Sequence, residues 1–264
     1  MQARIRYIAV LSDNPQTLAG FYQRFLKMKQ IGQSEEGDVT LSDGFYNFTL
    51  LKKRPGLVEP RMELGFHHIG LEVDSLEETK RRYLKFNPRG IVAPEPGGLH
   101  RGELRIYDPE CTPVSLSQTA FGIKNEGRGF PGLRHVAWNA LDPDAILNFY
   151  TEVLGLREVS SSRLRRKEGR LNRFAGDGFT NLAIHPFYNE REGHEARFGM
   201  NHIGFLVTDL KATMDELSSV VAIKSRPADR PFAEFRFQDP EGNRMDLSQT
   251  KGWEVDVDKW ERVA

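Results

Sequence analysis

The chain carries the stretch FHHIGLEV at Phe66–Val73 and a variant of it, MNHIGFLV, at Met200–Val207. The closing stretch of the first half, DPECTPVSLSQT at Asp108–Thr119, returns in the same way as DPEGNRMDLSQT at Asp239–Thr250. The copies lie about 130 residues apart in a chain of 264 residues. Repetition at a fixed spacing indicates that one structural plan is built twice. Positions where the copies differ in polar residues are therefore candidates for chemistry carried by one half alone.

The overall composition argues against several classes of function. Thirty-seven basic and 37 acidic residues cancel to a formal net charge of zero, which is not typical of a protein that binds nucleic acid or an anionic membrane. The single cysteine, Cys111, excludes an intramolecular disulfide. No stretch approaches the roughly 18 consecutive apolar residues of a membrane span, and the N-terminus has no apolar leader pattern. These features favour a cytoplasmic location.

Each half divides again into two modules that begin with a short apolar strand, continue into an amphipathic helix and end in further strands. The four opening strands begin at Tyr7, His68, His135 and His202. We predict an N-terminal domain over residues 1–120, a linker over 121–130, a C-terminal domain over 131–250 and a tail over 251–264.

The Asp-Pro-Glu stretches predict turns between strands. In the second copy, Gly242 or Asn243 can adopt the positive φ that such a turn needs. The first copy has Cys111 where the second has Gly242. We therefore expect the first turn to have a different geometry.

Four modules that open on His-Ile/Val-Ala/Gly and close on an Asp-Pro turn resemble the vicinal oxygen chelate superfamily. This group includes glyoxalases, bleomycin-resistance proteins and type I extradiol ring-cleaving dioxygenases, and the resemblance covers residues 4–250. The four-module layout in a single chain looks most like the extradiol enzymes. The resemblance implies an α+β fold in which four βαβββ modules pair into two tandem, open, β-barrel-like domains with their helices outside.

The resemblance also implies a metal site in the C-terminal domain. The positions that match the family's ligands are His135, His202 and Asp246, where the family usually has Glu at the last. Two imidazoles and one carboxylate leave coordination positions for a chelating substrate and O2, an arrangement typical of non-haem Fe(II). Iron is thus the first expectation, with Mn, Zn, Ni or Co as alternatives. In the first half these positions are held by Tyr7, His68 and Ser115, and we expect them to surround a smaller or filled cavity.

Two further family positions differ here. Extradiol enzymes have an acid/base histidine where this chain has Thr180, and a tyrosine where it has Arg236. Neither Thr nor Arg can transfer a proton near neutral pH. The candidates for a catalytic role are His185, His194 and Arg236, although Arg105 at the matching place of the first half also allows a structural role for Arg236.

Three functions remain open at this point. The first is an extradiol-type dioxygenase acting on an oxygen-chelating, aromatic small molecule. The second is a metal-dependent lyase, isomerase or epimerase of the glyoxalase kind, and the third is a resistance-type protein that binds a small molecule without turnover. Exposed strand edges at the module ends favour a homo-oligomer.

Overall fold

The computed structural model describes residues 3–54, 65–95, 102–124, 131–159, 166–167, 170–187, 199–226 and 233–249. The first half consists of β1 (Arg4–Ser12), α1 (Pro15–Leu26), β2 (Lys29–Gln33), β3 (Val39–Ser42), β4 (Asn47–Lys52), β5 (Gly65–Glu72), α2 (Leu76–Phe86), β6 (Ala93–Pro94), β7 (Leu104–Tyr107), β8 (Pro113–Ser117) and a 3-10 turn (Ala120–Gly122). The second half consists of β9 (Gly132–Ala140), α3 (Pro143–Asn148) with a π-helical continuation (Phe149–Val153), β10 (Arg157–Glu158), β11 (Arg166–Lys167), β12 (Arg170–Leu171), β13 (Arg173–Gly176), β14 (Asn181–Pro186), β15 (Gly199–Leu206), α4 (Leu210–Leu217), β16 (Lys224–Ser225), β17 (Phe235–Gln238) and β18 (Arg244–Ser248).

Each half forms one eight-stranded mixed sheet. The order is β2-β3-β4-β1-β5-β8-β7-β6 in the first half and β10-β13-β14-β9-β15-β18-β17-β16 in the second, while β11 and β12 pair separately. The two central strands of each sheet, β1 with β5 and β9 with β15, are antiparallel, and each has a parallel neighbour on its outer side. The predicted α+β fold of four paired βαβββ modules is confirmed. The sheets end in edge strands and do not close into barrels.

The helices begin where the sequence predicts them, because a polar side chain caps each one. Asn14 caps α1, Ser75 caps α2, Asp142 caps α3 and Asp209 caps α4, each accepting a hydrogen bond from a backbone N–H of the first turn. The apolar face of α1 is buried through Leu18, Phe21, Tyr22, Phe25 and Leu26. Among the described residues, no helix has the length and apolar character to cross a membrane.

Equivalent aspartates join the two halves reciprocally. Asp43 Oδ2 accepts a hydrogen bond from the Leu133 N–H at 3.0 Å, and Asp177 Oδ2 accepts one from the Ile5 N–H at 2.8 Å. Leu133 and Ile5 lie near the starts of β9 and β1, the strands that carry the first position of each site. Burial raises the pKa of both carboxyls, although backbone hydrogen bonds act in the opposite direction. Each half thus helps to position the first strand of the other.

The two Asp-Pro turns have the same geometry, so the expected difference between them was wrong. Asp108 Oδ1 accepts hydrogen bonds from the backbone N–H groups of Glu110 and Thr112, and Asp239 Oδ1 accepts from those of Glu241 and Asn243. Gly242 has φ 84°, and Cys111 has φ 61° at the matching position. The side-chain bonds of Asp108 hold the turn in place, so that Cys111 is forced into the left-handed region.

Replacing Cys111 by glycine should therefore stabilise the protein. We expect Cys111→Gly to raise the free energy of unfolding by about 0.5–1 kcal/mol, since relief of left-handed strain exceeds the added chain entropy. The matched variant Gly242→Ala should lower it by about 1 kcal/mol, because the Cβ would meet no atom within 4 Å and only backbone strain changes. Urea unfolding of both variants checks the pair, and a destabilised Cys111→Gly would contradict the explanation.

Candidate metal centre

The predicted ligands lie on neighbouring strands of the second sheet. His135 on β9 and Asp246 on β18 both pair in register with Gly204 on β15. His202 lies two residues before Gly204, and side chains two apart point to the same face of a strand. Gly204 has no side chain, so no side chain of β15 stands between those of His135 and Asp246 in this row. The exposed fractions of His135, His202 and Asp246 are 6 %, 7 % and 2 %.

The spacing of two of these groups suits a shared ion. His202 Nε2 lies 3.3 Å from Asp246 Oδ2, and two ligands at right angles around a transition metal are roughly 3 Å apart. The ring centroids of His135 and His202 are 5.3 Å apart. The structure therefore brings together all three residues that the sequence analysis selected.

The hydrogen bonds of His202 define its tautomer. Its Nδ1 lies 2.9 Å from Asn201 Oδ1, and its Nε2 lies 3.3 Å from an Nη2 of Arg236. Because a guanidinium can only donate, Nε2 accepts and Nδ1 carries the hydrogen that is donated to Asn201. A side-chain acceptor on the second nitrogen is the usual way in which a protein orients a metal-binding imidazole.

Both imidazoles are neutral near neutral pH, which is the form that binds a metal. Burial, together with the positive charge of Arg236, lowers the pKa of His135 to about 3. The same two causes lower the pKa of His202 well below its usual range, with smaller contributions from His135, His185 and Arg226.

Arg236 forms a two-point ion pair with Asp246. Its Nη2 donates to Oδ2 at 2.8 Å, and its Nε donates to Oδ1. Both oxygens of the carboxylate are thus engaged by a cation. In this arrangement the described residues contain no group of three His, Cys, Asp or Glu side chains that could hold a metal ion. A metal would have to take the place of the guanidinium on Asp246.

The matching arginine of the first half has a different partner. Arg105 forms a buried ion pair with Glu95 at the end of β6, with Nε 3.2 Å from Oε2. The second-half residue at the place of Glu95 is Arg226, as the pairing of β6 with β7 and of β16 with β17 shows. The carboxylate that pairs with the arginine therefore lies on a different strand in each half. It is Glu95 after β6 in the first half, and Asp246 on β18, at the position of Ser115, in the second. The two arginines are equivalent in position and differ in role.

The first-half counterpart of the site is filled, as predicted. Phe121 lies between Tyr7 and Gly70: its ring stacks on that of Tyr7 with centroids 5.1 Å apart, and a Cβ built on Gly70 would lie 2.5 Å from its Cζ. His68 is buried beside Tyr7, with ring centroids 5.4 Å apart. Phe121 is the first residue of the predicted linker, and the structure places it in the interior of the first half.

The remaining candidate positions, Thr180, His185 and His194, differ in where they lie relative to the ligands. Thr180, at the family's acid/base position, is buried and hydrogen-bonded through Oγ1 to the Tyr46 hydroxyl of the first half. His185 lies on β14, on the same face as Asn181. His194 lies outside the described residues. His185 therefore faces the same side of the sheet as His135, which its alternation with Asn181 could have indicated from the sequence.

The sequence profile of the glyoxalase/bleomycin resistance protein/dioxygenase superfamily matches residues 132–247. The match covers most of the second half of the chain and includes His135, His202 and Asp246. A search of curated protein sequences finds no match.

Solved structures share the vicinal oxygen chelate fold across nearly the whole chain. The 2,3-dioxygenase LapB from Pseudomonas sp. KL28 is 16% identical with a TM-score of 0.69, covering 92% of this chain and 91% of its own. The halotolerant catechol dioxygenase BphC is 17% identical with a TM-score of 0.67, covering 98% and 90%. The Mn(II)-bound glyoxalase from Novosphingobium aromaticivorans is 16% identical with a TM-score of 0.71, covering 98% and 86%. Likenesses at this level of identity establish the fold.

His135, His202 and Asp246 would fit a divalent ion only once Arg236 has left the Asp246 carboxylate, because in the present arrangement the described residues hold no group of three ligand-type side chains. Two neutral imidazoles and one carboxylate converge on one side of the sheet, and one imidazole–carboxylate pair already has the spacing of adjacent ligands. Asp246 also holds a positive charge in that place, namely the guanidinium of Arg236.

Proposed function

We propose that the second half is the metal centre of a divalent-metal-dependent enzyme, with His135, His202 and Asp246 as the ligands and an oxygen-bearing small molecule as the substrate. The observation that carries the proposal is the 3.3 Å approach of His202 Nε2 to Asp246 Oδ2 beside His135. The same positions in the first half are replaced, and Phe121 fills the space there. When bound, such a metal polarises substrate oxygens as a Lewis acid.

The chain's own residues have separate roles in this proposal. Asn201 holds the His202 ring so that Nε2 faces the site. Arg236 neutralises Asp246 while no metal is bound, and His185, on the face of β14 that His135 shares, is our candidate for moving a proton. A histidine suits that task because its ordinary pKa lies near neutrality.

Extradiol-type ring cleavage of an aromatic diol with Fe(II) is the reaction we propose first. Two imidazoles and one carboxylate are the ligand set of non-haem Fe(II) oxygenases, and two of the structural neighbours are dioxygenases.

One observation favours a second reaction, that of a lyase, isomerase or epimerase of the glyoxalase kind. In extradiol enzymes the position of Thr180 holds the acid/base histidine and the position of Arg236 holds a tyrosine. Here Thr180 is hydrogen-bonded to Tyr46 and Arg236 is paired with Asp246, so neither side chain replaces the missing group. A redox-inert metal would then suffice, and the reaction would consume no O2.

Metal analysis tests the proposal directly. We expect protein purified without chelator, or reconstituted anaerobically with Fe(II), to hold one metal ion per chain. His202→Ala should lose it, whereas the matched first-half variant His68→Gln should retain it. Oxygen uptake with a panel of catechols then separates the two reactions. If wild-type protein binds no metal even after reconstitution, the proposal is wrong.

A further inference from the structure

Residues 43–46 join β3 to β4 in the first half and contact the second-half strand that carries His135. Asp43 Oδ2 accepts a hydrogen bond at 3.0 Å from the backbone N–H of Leu133, two residues before His135. Asp43 Oδ1 accepts hydrogen bonds from two backbone N–H groups of its own segment, at 2.9 and 2.7 Å. One carboxylate therefore shapes this segment and also binds it to β9.

The contact lies at an irregular point of β9. His135 pairs with Gly204 and Leu133 pairs with Phe205 on the neighbouring β15, so Arg134 is an extra residue in β9. An extra residue of this kind bends a strand and changes the direction of the side chains beside it. A bond that fixes the N–H of Leu133 therefore also influences the direction in which the His135 imidazole points.

The same segment contacts the strand on the other side of β9. The Tyr46 hydroxyl and Thr180 Oγ1 form a hydrogen bond between the two halves. Thr180 directly precedes β14, whose first residue, Asn181, pairs in register with His135. Residues 43–46 thus hold both β9 and its neighbour close to the point where His135 lies.

The first half also holds the opposite end of β9. The backbone N–H of Asp142, two residues after β9 ends, donates to Glu110 Oε1 at 3.0 Å. On the other side, β15 with His202 lies between β9 and β18, the strand that carries Asp246. A small shift of β9 would therefore change the distance from His135 to both of the other proposed ligands.

We infer that Asp43 is a positioning residue of the metal centre, although it belongs to the half that lacks a complete set of ligands. It acts through β9, by holding the start of that strand so that His135 meets an ion bound by His202 and Asp246. The inference rests on the proposed function, because it concerns the ligand geometry of that centre. It gives the first half a part in the chemistry of the second.

Asp177 provides a matched comparison, because it makes the same bonds in the opposite direction. Its Oδ1 accepts from two backbone N–H groups of its own segment, and its Oδ2 accepts from the N–H of Ile5 on β1 at 2.8 Å. Asp43 lies in the first half and supports β9, whereas Asp177 lies in the second half and supports β1. The pair therefore separates an effect on the half that is mutated from an effect on the strand that is supported.

Asparagine at each position tests the inference in the full chain. Its carboxamide oxygen can keep the bonds within the segment, while its NH2 group faces the N–H that Oδ2 now accepts from. We expect Asp43→Asn to weaken Mn(II) binding about tenfold in a calorimetric titration, as loss of a group that supports a metal ligand does. The visible spectrum of the Co(II)-loaded protein should also change, because it depends on the coordination geometry. Asp177→Asn should lower the melting temperature by a similar amount and leave Mn(II) affinity and the Co(II) spectrum unchanged.

Tyr46→Phe is a second variant in the same segment, which keeps the ring and removes only the hydroxyl bond to Thr180. It should weaken Mn(II) binding by a smaller factor, and it decides the question if Asp43→Asn does not fold. Mn(II) affinities equal to that of the wild type in both first-half variants would overturn the inference, as would an equal loss in Asp177→Asn. Failure of the wild-type protein to bind metal would instead refute the proposed function.

Discussion

Arg236→Gln raises the affinity of the second half for Mn(II) or Co(II) by about 10- to 100-fold, the expected effect of removing a charge-assisted ion pair that a metal must otherwise break. In the wild-type chain both oxygens of Asp246 accept from the guanidinium, and His202 Nε2 faces the same group. Glutamine is shorter than arginine, keeps a polar amide and removes the charge. Isothermal titration of the metal-free proteins measures the difference directly.

The matched control is Arg105→Gln. Arg105 pairs with Glu95 in the filled first half and lies opposite Ser115, the residue at the position of Asp246. That variant should leave metal affinity unchanged while lowering the free energy of unfolding by about 3–5 kcal/mol, since it leaves a buried carboxylate without its cation. An Arg236→Gln protein that binds metal no better than wild type would show that the guanidinium does not compete with the ion.

Phe121→Ala lowers the free energy of unfolding by about 3–5 kcal/mol, the usual cost of deleting a buried phenyl group. The ring fills the space between Tyr7 and Gly70 and belongs to a small cluster with Ala9, Leu11 and Leu51. Truncation leaves a cavity and keeps the left-handed backbone, so that strain is retained while the packing that offsets it is lost. Urea unfolding, followed by fluorescence and circular dichroism, measures the change.

The graded variant Phe121→Leu should cost less, because leucine refills much of the volume. We also expect Phe121→Ala to be restabilised by benzene, since an apolar cavity of this kind takes up small apolar molecules. A loss below about 1 kcal/mol for Phe121→Ala would mean that the first half collapses around the space and that the ring is not its main support.

Much of the fold follows from local pattern. Capping residues such as Asn14 and Asp142, followed by apolar positions at helical spacing, predict where the helices begin, and the repeat predicts that two sheets share one plan. The backbone geometry of the first Asp-Pro turn was harder to predict. Cys111 in place of Gly242 suggested a different geometry, but the side-chain bonds of Asp108 impose the same one.

The residues of the candidate site were likewise predicted in part from the sequence and in part only from the structure. The resemblance to the vicinal oxygen chelate superfamily selected His135, His202 and Asp246, and comparison with Tyr7, His68 and Ser115 distinguishes the halves. That His185 faces the same side of the sheet as His135 could be established only from the register of β14 with β9. A slip of one residue would turn the whole strand to the other face.

The sequence by itself determined the repeated strand–helix plan and the chemical types available in each half, because both depend on residue order and short-range periodicity. Only the tertiary structure decided that Arg236 pairs with Asp246 and that Phe121 fills the first half, where its carbonyl oxygen accepts a hydrogen bond from Asn47. These outcomes depend on which groups meet across strands that are far apart in the chain. Partners of that kind are selected by sheet order and register, and by competition among several oppositely charged or polar groups within reach of each other.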